Sequence, residues 1–171
     1  MKTHHKNSER VVTKVFQDVF HKYDVMNDIM SFGIHRIWKK NFIHWLNPQK
    51  NTLLIDVASG TGDIAKLYLN KINYNGAVYC VDENKDMLNL NKKKFKENDN
   101  IKWFCNSAEK LPFKNNFFDY YTISFGIRNV ENIDKALKEA YRVLKPGGRF
   151  LCLEFSKVKN EILEKFYKTY S

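Results

Sequence analysis

The spacing of apolar residues along the chain changes near residue 50. Before that point they recur every three or four residues, as on an amphipathic helix. This first run consists of Val11, Val12, Val15, Phe16, Val19, Phe20 and Tyr23. The following segment, DVMNDIMSFGIHRIWKKNFIHWL, predicts two helical pieces broken near residues 31–33, and Asn47-Pro48 ends it. The pattern predicts a helical N-terminal cap over residues 1–50.

After residue 50, short apolar runs alternate with helical patterns. The runs predict strands at Leu53–Val57, Ala77–Val81, Ile101–Cys105, Tyr120–Ser124 and Arg149–Phe155. The helical patterns fall at about 63–72, 84–97 and 132–144. This alternation predicts a doubly wound α/β core over residues 51–171, with a mainly parallel sheet and right-handed crossovers. Lys145-Pro146-Gly147-Gly148 has the residue order of a type II turn.

A chain of 171 residues with 43% hydrophobic residues is typical of one globular domain. No apolar run approaches the length of a membrane span, and the start MKTHHKNSER has no apolar signal core. We therefore predict a soluble protein that is not secreted. Cys80, Cys105 and Cys152 lie in apolar runs without C-x-x-C spacing, which predicts buried thiols in a reducing compartment and no metal site.

The net charge of +10 raises the question of nucleic acid. The lysines are spread along the chain, and the densest run, Lys92–Lys94 with Lys96, is followed directly by Glu97. A solvated helix face explains that run as well as phosphate contacts do, and attraction to anionic lipid is a third option. Charge alone does not decide the partner.

Residues 52–65, TLLIDVASGTGDIA, have the strand, glycine loop and helix of a nucleotide-cofactor site, and Gly60 and Gly62 fit the dinucleotide spacing G-x-G-x-x-G/A. A diphosphate would lie at the helix N-terminus. There Asp63 and the preceding Asp56 would each repel it by on the order of a kcal/mol or more. The same acids would attract the sulfonium and ammonium of S-adenosylmethionine. The loop therefore favours this methyl donor, although Asp63 is also an ordinary first residue for a helix.

Polar residues follow the other predicted strands. Asp82 ends the second strand, where a carboxylate can accept hydrogen bonds from both ribose hydroxyls. Ser107 and Ala108 follow the third strand, where a loop can flank an adenine, and Ser124 ends the fourth. Each is also ordinary turn chemistry, but together they predict a cofactor crevice. NAD proteins use the same acid, so Asp82 does not separate the two cofactors.

Five stretches closely resemble one enzyme family: YDVMNDIMSFGIHRIWKK, DVASGTGDIA, NSAEKLPF, FFDYYTISFGIRNV and YRVLKPGGRFLCLEFS. The family is the ubiquinone/menaquinone biosynthesis C-methyltransferases of the UbiE type, and the likeness runs from about residue 8 to the end. The glycine loop and LKPGG alone indicate a Rossmann-like class I methyltransferase. MNDIMSFGIHRIWK and SFGIRNV are the more specific motifs.

The resemblance implies methyl transfer from S-adenosylmethionine to a ring carbon of a polyprenylated benzoquinol or demethylmenaquinol. Family donor positions map onto Thr61, Asp82, Ser107, Ala108 and Ser124. The family usually has a glycine pair where this chain reads Ala58-Ser59-Gly60. Ser59 is expected to cost free energy if the loop requires a positive φ there.

For the acceptor, the resemblance points first to Arg128. A guanidinium cannot act as a base, so we expect Arg128 to bind the quinol oxygen and hold a water that takes the ring proton; a surface salt bridge is the alternative. His35 is another candidate base, because histidine titrates near neutrality, although it can equally pack or cap. Tyr23 and Asn129 are candidate substrate contacts. The apolar N-terminal segment would receive the prenyl tail or pack against the sheet.

The resemblance also implies that the last strands of the usual seven are missing, so we expect a C-terminally truncated chain or one that needs a complementing C-terminal fragment. Arg149–Phe155 would then be an apolar sheet edge, partly covered by a helix over Ile162–Tyr170. A membrane-resident product implies a cytoplasmic protein that is peripheral to the inner membrane, or one in the mitochondrial matrix of a eukaryote. A quinone-biosynthesis complex is an expected partner.

Three other functions stay open. The charge leaves room for an RNA-directed methyltransferase, although the Asn/Asp-Pro-Pro-aromatic motif is absent and no nucleic-acid partner is expected. The short chain could be a donor-binding subunit without catalysis, and an NAD oxidoreductase comes last. Neither the acceptor ring nor the tail length can be read from the sequence.

Overall fold

A computed structural model describes residues 34–95 and 98–155. The helical pattern at 11–23, the first piece of the methionine-rich segment and the predicted helix Ile162–Tyr170 lie outside these residues. Residues 34–38 belong to a separate compact unit from the body that begins at Lys39. The predicted division at residue 50 stays a prediction, and the site described below lies in the body.

The five predicted strands are all present and form one sheet. They are β1 (Thr52–Val57), β2 (Gly76–Asp82), β3 (Ile101–Cys105), β4 (Phe118–Ser124) and β5 (Leu144–Leu153). All neighbouring strands pair in parallel, in the order β3-β2-β1-β4-β5. The doubly wound α/β prediction is confirmed.

The glycine-rich segment at the start of β5 differs from its predicted form. Phe118 pairs with Leu144 but Tyr120 pairs with Arg149, so Lys145–Gly148 bulges out of the ladder. Gly147 has a φ of +79°, the left-handed value of the third residue of a type II turn. The turn therefore occurs inside the strand, and β5 begins at Leu144, before the bulge rather than after it.

The helices among the described residues are α1 (His35–Leu46), α2 (Asp63–Lys71), α3 (Lys85–Lys94) and α4 (Ile133–Val143). A short 3₁₀ helix covers Ile127–Asn129. Asn84 and Asn132 cap α3 and α4 by accepting hydrogen bonds from backbone amides, which explains where both helices begin. Within this part of the chain, no helix is long and apolar enough to cross a bilayer.

Apolar side chains cover both faces of the sheet. Phe42, Leu46 and Tyr68 belong to one buried cluster, and Tyr121 and Val143 belong to the other. The central strands β1 and β4 are enclosed on both faces, which is why they are almost continuously apolar.

The cysteine prediction was wrong for two of three residues. Cys80 is buried on β2, but Cys105 and Cys152 are exposed. Cys105 and Cys152 lie on β3 and β5, the outer strands of the sheet, where an apolar run is not covered on all sides. Phe150, also on β5, is 38% exposed, which agrees with the predicted apolar edge.

Candidate functional site

Three of the predicted cofactor residues lie at the carboxyl ends of the middle strands β1, β2 and β4. Within the sheet, β2 and β3 lie to one side of β1, and the chain then crosses over so that β4 pairs with the opposite edge of β1. This reversal of strand order opens a crevice where ligands of such sheets bind. Asp56 and Asp82 lie at the ends of β1 and β2, and Ser124 ends β4.

The glycine loop after β1 carries three left-handed residues. Gly60 and Gly62 have φ values of +50° and +76°, which glycine adopts at little cost. Ala58 has a φ of +52°, whereas Ser59 does not have a positive φ. Where the family usually has glycines, the backbone strain in this chain therefore falls on Ala58 and not on Ser59. A left-handed alanine costs about 1–2 kcal/mol.

Two side chains hold this loop in place. The Gly60 amide donates to Asp82 Oδ2 at 2.8 Å, and the Asn84 amide donates to Asp82 Oδ1 at 2.9 Å. The side-chain amide of Asn91, which is fully buried on α3, donates to the Gly60 carbonyl. Asp82 is thus fixed in orientation, and each oxygen keeps a lone pair for a further donor. Sequence reasoning missed Asn91, whose one signal is an amide on the apolar face of α3.

Asp56 is a buried carboxyl group that is incompletely paired. It is 1% exposed, and its Oδ1 accepts a hydrogen bond from Thr122 Oγ1 at 2.8 Å. Its Oδ2 is buried and has no hydrogen-bond partner among residues 34–95 and 98–155. Burial raises the pKa of Asp56 from 3.8 to about 7, against the opposing effects of the Thr122 bond and of Lys39. The Asp56 carboxyl group is therefore partly protonated near neutral pH.

Asp63, the first residue of α2, is paired instead. Lys39 Nζ lies 2.8 Å from Asp63 Oδ2, and Lys39 as a whole is 7% exposed. Although burial alone would raise it, the Lys39 ammonium holds the pKa of Asp63 below its ordinary value. The sequence argument treated Asp56 and Asp63 as fixed carboxylates and did not include Lys39, which pairs with Asp63, or the burial that raises the pKa of Asp56. Lys39 was missed because it lies 24 residues away along the chain.

Several buried polar atoms of the described residues have no partner at this end of the sheet. They are Asp56 Oδ2, Ser59 Oγ, Asn91 Oδ1, Ser124 Oγ and Glu154 Oε2. Such atoms usually cost about 1–3 kcal/mol each when left unpaired. A small polar ligand with hydroxyl and ammonium donors would satisfy the first four of these atoms, so the residues present fit S-adenosylmethionine.

The predicted residues after β3 form a turn. Ser107 Oγ accepts a hydrogen bond from the Glu109 amide at 3.2 Å, and Glu109 Oε1 accepts one from the Asn132 amide at 2.8 Å. Ala108 is 8% exposed. The turn is thereby tied to the start of α4. The adenine contacts of Ser107 and Ala108 stay predictions, as does the donor contact of Thr61 between the two loop glycines.

Arg128 lies on the 3₁₀ helix after β4 and is paired with Glu154 at the end of β5. Its guanidinium donates to Glu154 Oε1 and lies 5.6 Å from the centroid of the Phe155 ring. The salt bridge considered as an alternative is thus present. The Arg128 side chain is still 41% exposed, so a quinol contact stays a prediction. Asn129, on the same turn, is exposed.

The other two predicted substrate or base residues are not placed in this crevice. His35 is buried and belongs to the compact unit before Lys39, so its role as a base stays a prediction. Tyr23 lies outside the described residues.

The loop that carries Arg128 begins with a strained residue. Phe125 has a φ of +55°, which is unusual for a bulky side chain. Its amide donates to the Leu153 carbonyl at 2.7 Å, and its ring stacks on Phe155 with centroids 4.7 Å apart. Strain held by surrounding contacts is common at functional sites, so Phe125 adds support for a site at this loop.

This sheet order, with a glycine loop after β1 and an acid at the end of β2, is that of the Rossmann-like folds, to which class I methyltransferases belong. A crystal structure of a SAM dependent methyltransferase from Aquifex aeolicus has the same fold, with a TM-score of 0.68 and 20% identity over 84% of this chain and 75% of that one. The model of the ubiE/COQ5 methyltransferase family matches residues 2–171, and the chain belongs to this family.

Two relatives show how much of the family's length is present. The ubiquinone/menaquinone biosynthesis C-methyltransferase UbiE of Rickettsia bellii is 53% identical over 95% of this chain and 68% of its own length. The mitochondrial 2-methoxy-6-polyprenyl-1,4-benzoquinol methylase of Gallus gallus is 44% identical over 94% of this chain and 63% of its own. The chain thus spans about two thirds of these relatives. Family and fold together imply the use of S-adenosylmethionine.

Proposed function

We propose that the chain catalyses the C-methylation of a polyprenylated benzoquinol or demethylmenaquinol in ubiquinone or menaquinone biosynthesis. The observation that carries the proposal is the glycine loop fixed by Asp82 and Asn91 at the reversal of strand order, in a chain of the ubiE/COQ5 family. The names of the relatives supply the acceptor class.

The donor site uses groups that the fold already orients. Asp82 accepts from the ribose hydroxyls with its remaining lone pairs, while its amide partners keep the carboxylate in place. Gly60 lets the backbone approach the ligand closely, because its missing Cβ leaves open space there, whereas a Cβ on Gly62 would meet the rings of Phe95 and Trp103 at 3.0 Å. S-adenosylmethionine supplies an electrophilic methyl group on a sulfonium.

With the donor bound, its methyl group would pass to the acceptor carbon, S-adenosylhomocysteine would leave with the electron pair of the broken S–C bond, and the ring would then lose a proton. Arg128 binds the quinol oxygen and stabilises its phenolate character. Glu154 is suited to accept the ring proton. Its Oε1 accepts a hydrogen bond from Arg128, and its buried Oε2 is free of hydrogen bonds within the described ranges. We propose that this carboxylate acts as the general base and accepts the ring proton, directly or through one water. The electron pair of the broken C–H bond returns to the ring.

Replacing Glu154 with glutamine tests this assignment. We expect kcat to fall by about 10²-fold or more, because general-base catalysis is worth about 10²–10⁴-fold. Binding of S-adenosylhomocysteine should change by less than about twofold, since Glu154 does not hold the donor. Glu131→Gln, at an exposed carboxylate of the same loop, is the control. An unchanged kcat in Glu154→Gln would remove Glu154 from the mechanism.

Purified chain with S-adenosylmethionine and reduced demethylated prenyl-benzoquinol or prenyl-naphthoquinol tests the whole proposal. Mass analysis should detect one added methyl group on at least one acceptor, and Asp82→Ala should abolish it together with S-adenosylhomocysteine binding. Donor binding without any product would point to a donor-binding chain that needs a complementing C-terminal fragment. Absence of donor binding would contradict the proposal.

The polyprenyl tail of the acceptor also suggests where the chain works. We propose a cytoplasmic or matrix location with peripheral contact to the inner membrane, supported by the net charge of +10. A quinone-biosynthesis complex is the proposed partner. Flotation with anionic vesicles but not neutral ones is the expected result.

A further inference from the structure

One lysine serves two carboxyl groups beneath the glycine loop. Lys39 Nζ is hydrogen-bonded to Asp63 Oδ2 at 2.8 Å and also acts electrostatically on Asp56, whose pKa it lowers. Asp56 receives one hydrogen bond, from the neutral hydroxyl of Thr122, and its second oxygen is bare within the described part of the chain. The lysine is thus committed to Asp63, and no cation of residues 34–95 or 98–155 is hydrogen-bonded to Asp56.

Among the residues that the structure describes, this distribution leaves the Asp56 carboxyl group without a bound cation. A buried carboxylate without a bound cation is strongly disfavoured and takes up a proton instead. Asp56 is 1% exposed, so water does not replace the missing partner. The position next to the loop can accept either a proton or the positive charge of a ligand, but not both.

We propose that Lys39 is a positioning residue for the methyl donor: by pairing with Asp63, it reserves the Asp56 carboxylate for the positive charge of the donor, and donor binding displaces the proton of Asp56. The inference rests on the proposed function, in which this crevice binds S-adenosylmethionine. Lys39 therefore decides which of the two carboxyl groups meets the donor.

Several other charged and polar groups face Asp56. They are Lys39 on α1, Asp63 on α2, Cys80 and Asp82 on β2, and Tyr121 and Thr122 on β4. Burial raises the pKa of Cys80 and of Tyr121, so both stay neutral. The pKa of Asp63 is lowered, so it stays ionised, and Asp82 accepts hydrogen bonds from two backbone amides. A pH dependence of donor binding that Asp56→Asn removes therefore reports on Asp56.

The test measures donor binding by calorimetry between pH 6 and 8 in buffers of different ionisation enthalpy. For the wild type we expect affinity for S-adenosylmethionine to fall about tenfold from pH 8 to pH 6, with roughly half a proton released per donor bound at pH 7. Asp56→Asn should bind more weakly and lose this dependence. Dividing by the Asp56→Asn affinities cancels the titration of the donor's own amino group. Asp99→Asn, at an exposed carboxylate, should behave as the wild type.

Two reciprocal variants isolate the role of Lys39. Lys39→Met removes the cation that favours ionised Asp56, so the loss of affinity should begin at higher pH, with at least about threefold weaker binding at pH 7.5. Asp63→Asn releases Lys39 to act on Asp56, so the loss should begin at lower pH. A lysine that only stabilised the fold would leave the pH profile of both variants unchanged, and this result would overturn the inference.

Three ligands distinguish the sulfonium from the ammonium as the charge that Asp56 meets. They also distinguish failure of this inference from failure of the proposed function. S-adenosylmethionine carries a sulfonium and an ammonium, S-adenosylhomocysteine only the ammonium, and methylthioadenosine neither. Proton release with both charged ligands assigns the ammonium to Asp56, and release with S-adenosylmethionine alone assigns the sulfonium; methylthioadenosine should bind without release. Binding without proton release by any ligand contradicts the inference and leaves the proposed function standing. Failure of all three to bind contradicts the proposed function itself.

Discussion

Alanine at position 126 is expected to destabilise the chain by about 3 kcal/mol, and most of this loss should disappear when Ala58 is replaced by glycine. A Cβ on Gly126 would lie far inside the van der Waals distance of the Ala58 Cβ, and both atoms are attached directly to the backbone, so neither can rotate away. The φ of Gly126 is −123°, which alanine adopts freely. The neighbouring side chain is therefore the obstacle, and not the backbone conformation.

The double-mutant cycle is measured by urea unfolding of Ala58→Gly, Gly126→Ala and the pair. Ala58→Gly alone should change the free energy of unfolding by less than about 1 kcal/mol, because relief of its positive φ offsets the added freedom of the unfolded chain. The coupling energy should reach about 2 kcal/mol. Gly148→Ala is the control, since its Cβ would meet the Lys145 carbonyl at 2.9 Å and should combine additively with Ala58→Gly. Additive effects at Gly126 would contradict the contact.

Replacing Asp56 with asparagine is expected to remove a pH-dependent loss of stability. The pKa of Asp56 is about 7 in the folded chain and near 3.8 in the unfolded chain. The folded state therefore keeps a proton that the unfolded state has lost, so the stability from this group is complete below pH 3.8 and is lost as the pH rises through 7. Between pH 5 and pH 8 the loss is about 2–3 kcal/mol.

The free energy of unfolding of wild type and Asp56→Asn, measured from pH 5 to pH 8, checks this. The two curves should diverge as the pH rises, with the variant the more stable at pH 8. Asp63 and Glu139 have lowered pKa values, so both stay ionised over this range and do not add to the slope. Asp99→Asn should follow the wild type, and parallel curves for Asp56→Asn would contradict the assignment.

The fold could be predicted from the sequence because its signals are local. Strand Ile101–Cys105 was predicted with its observed bounds, and the other strands differ from prediction mainly at their ends. β5 is the largest difference, because Lys145–Gly148 is a turn by composition and yet lies within the ladder with β4. Pairing with a distant strand, rather than local preference, decided its start.

The site could be predicted only in outline. Asp56, Asp82 and Ser124 were identified because each lies at or next to the end of a predicted strand, and parallel strands bring their carboxyl ends together. The charge argument for the cofactor failed at Asp63, because its partner Lys39 lies on a helix that sequence reasoning assigned to the substrate cap. Asn91 gave no comparable signal, since a buried amide on α3 looks like any helix residue until the Gly60 carbonyl lies against it.

The sequence by itself determined the periods of the helices and strands, the alternation that makes the sheet parallel, the glycines of the loop and the family. These depend on backbone preferences and side-chain spacing within a few residues, and so they can be read along the chain. Only the tertiary structure decided that Lys39 pairs with Asp63, that Asp56 has an unpaired oxygen, and that Ala58 touches Gly126. Hydrogen bonding, burial and close contact depend on distances between residues far apart in sequence, and these distances exist only once the chain has folded.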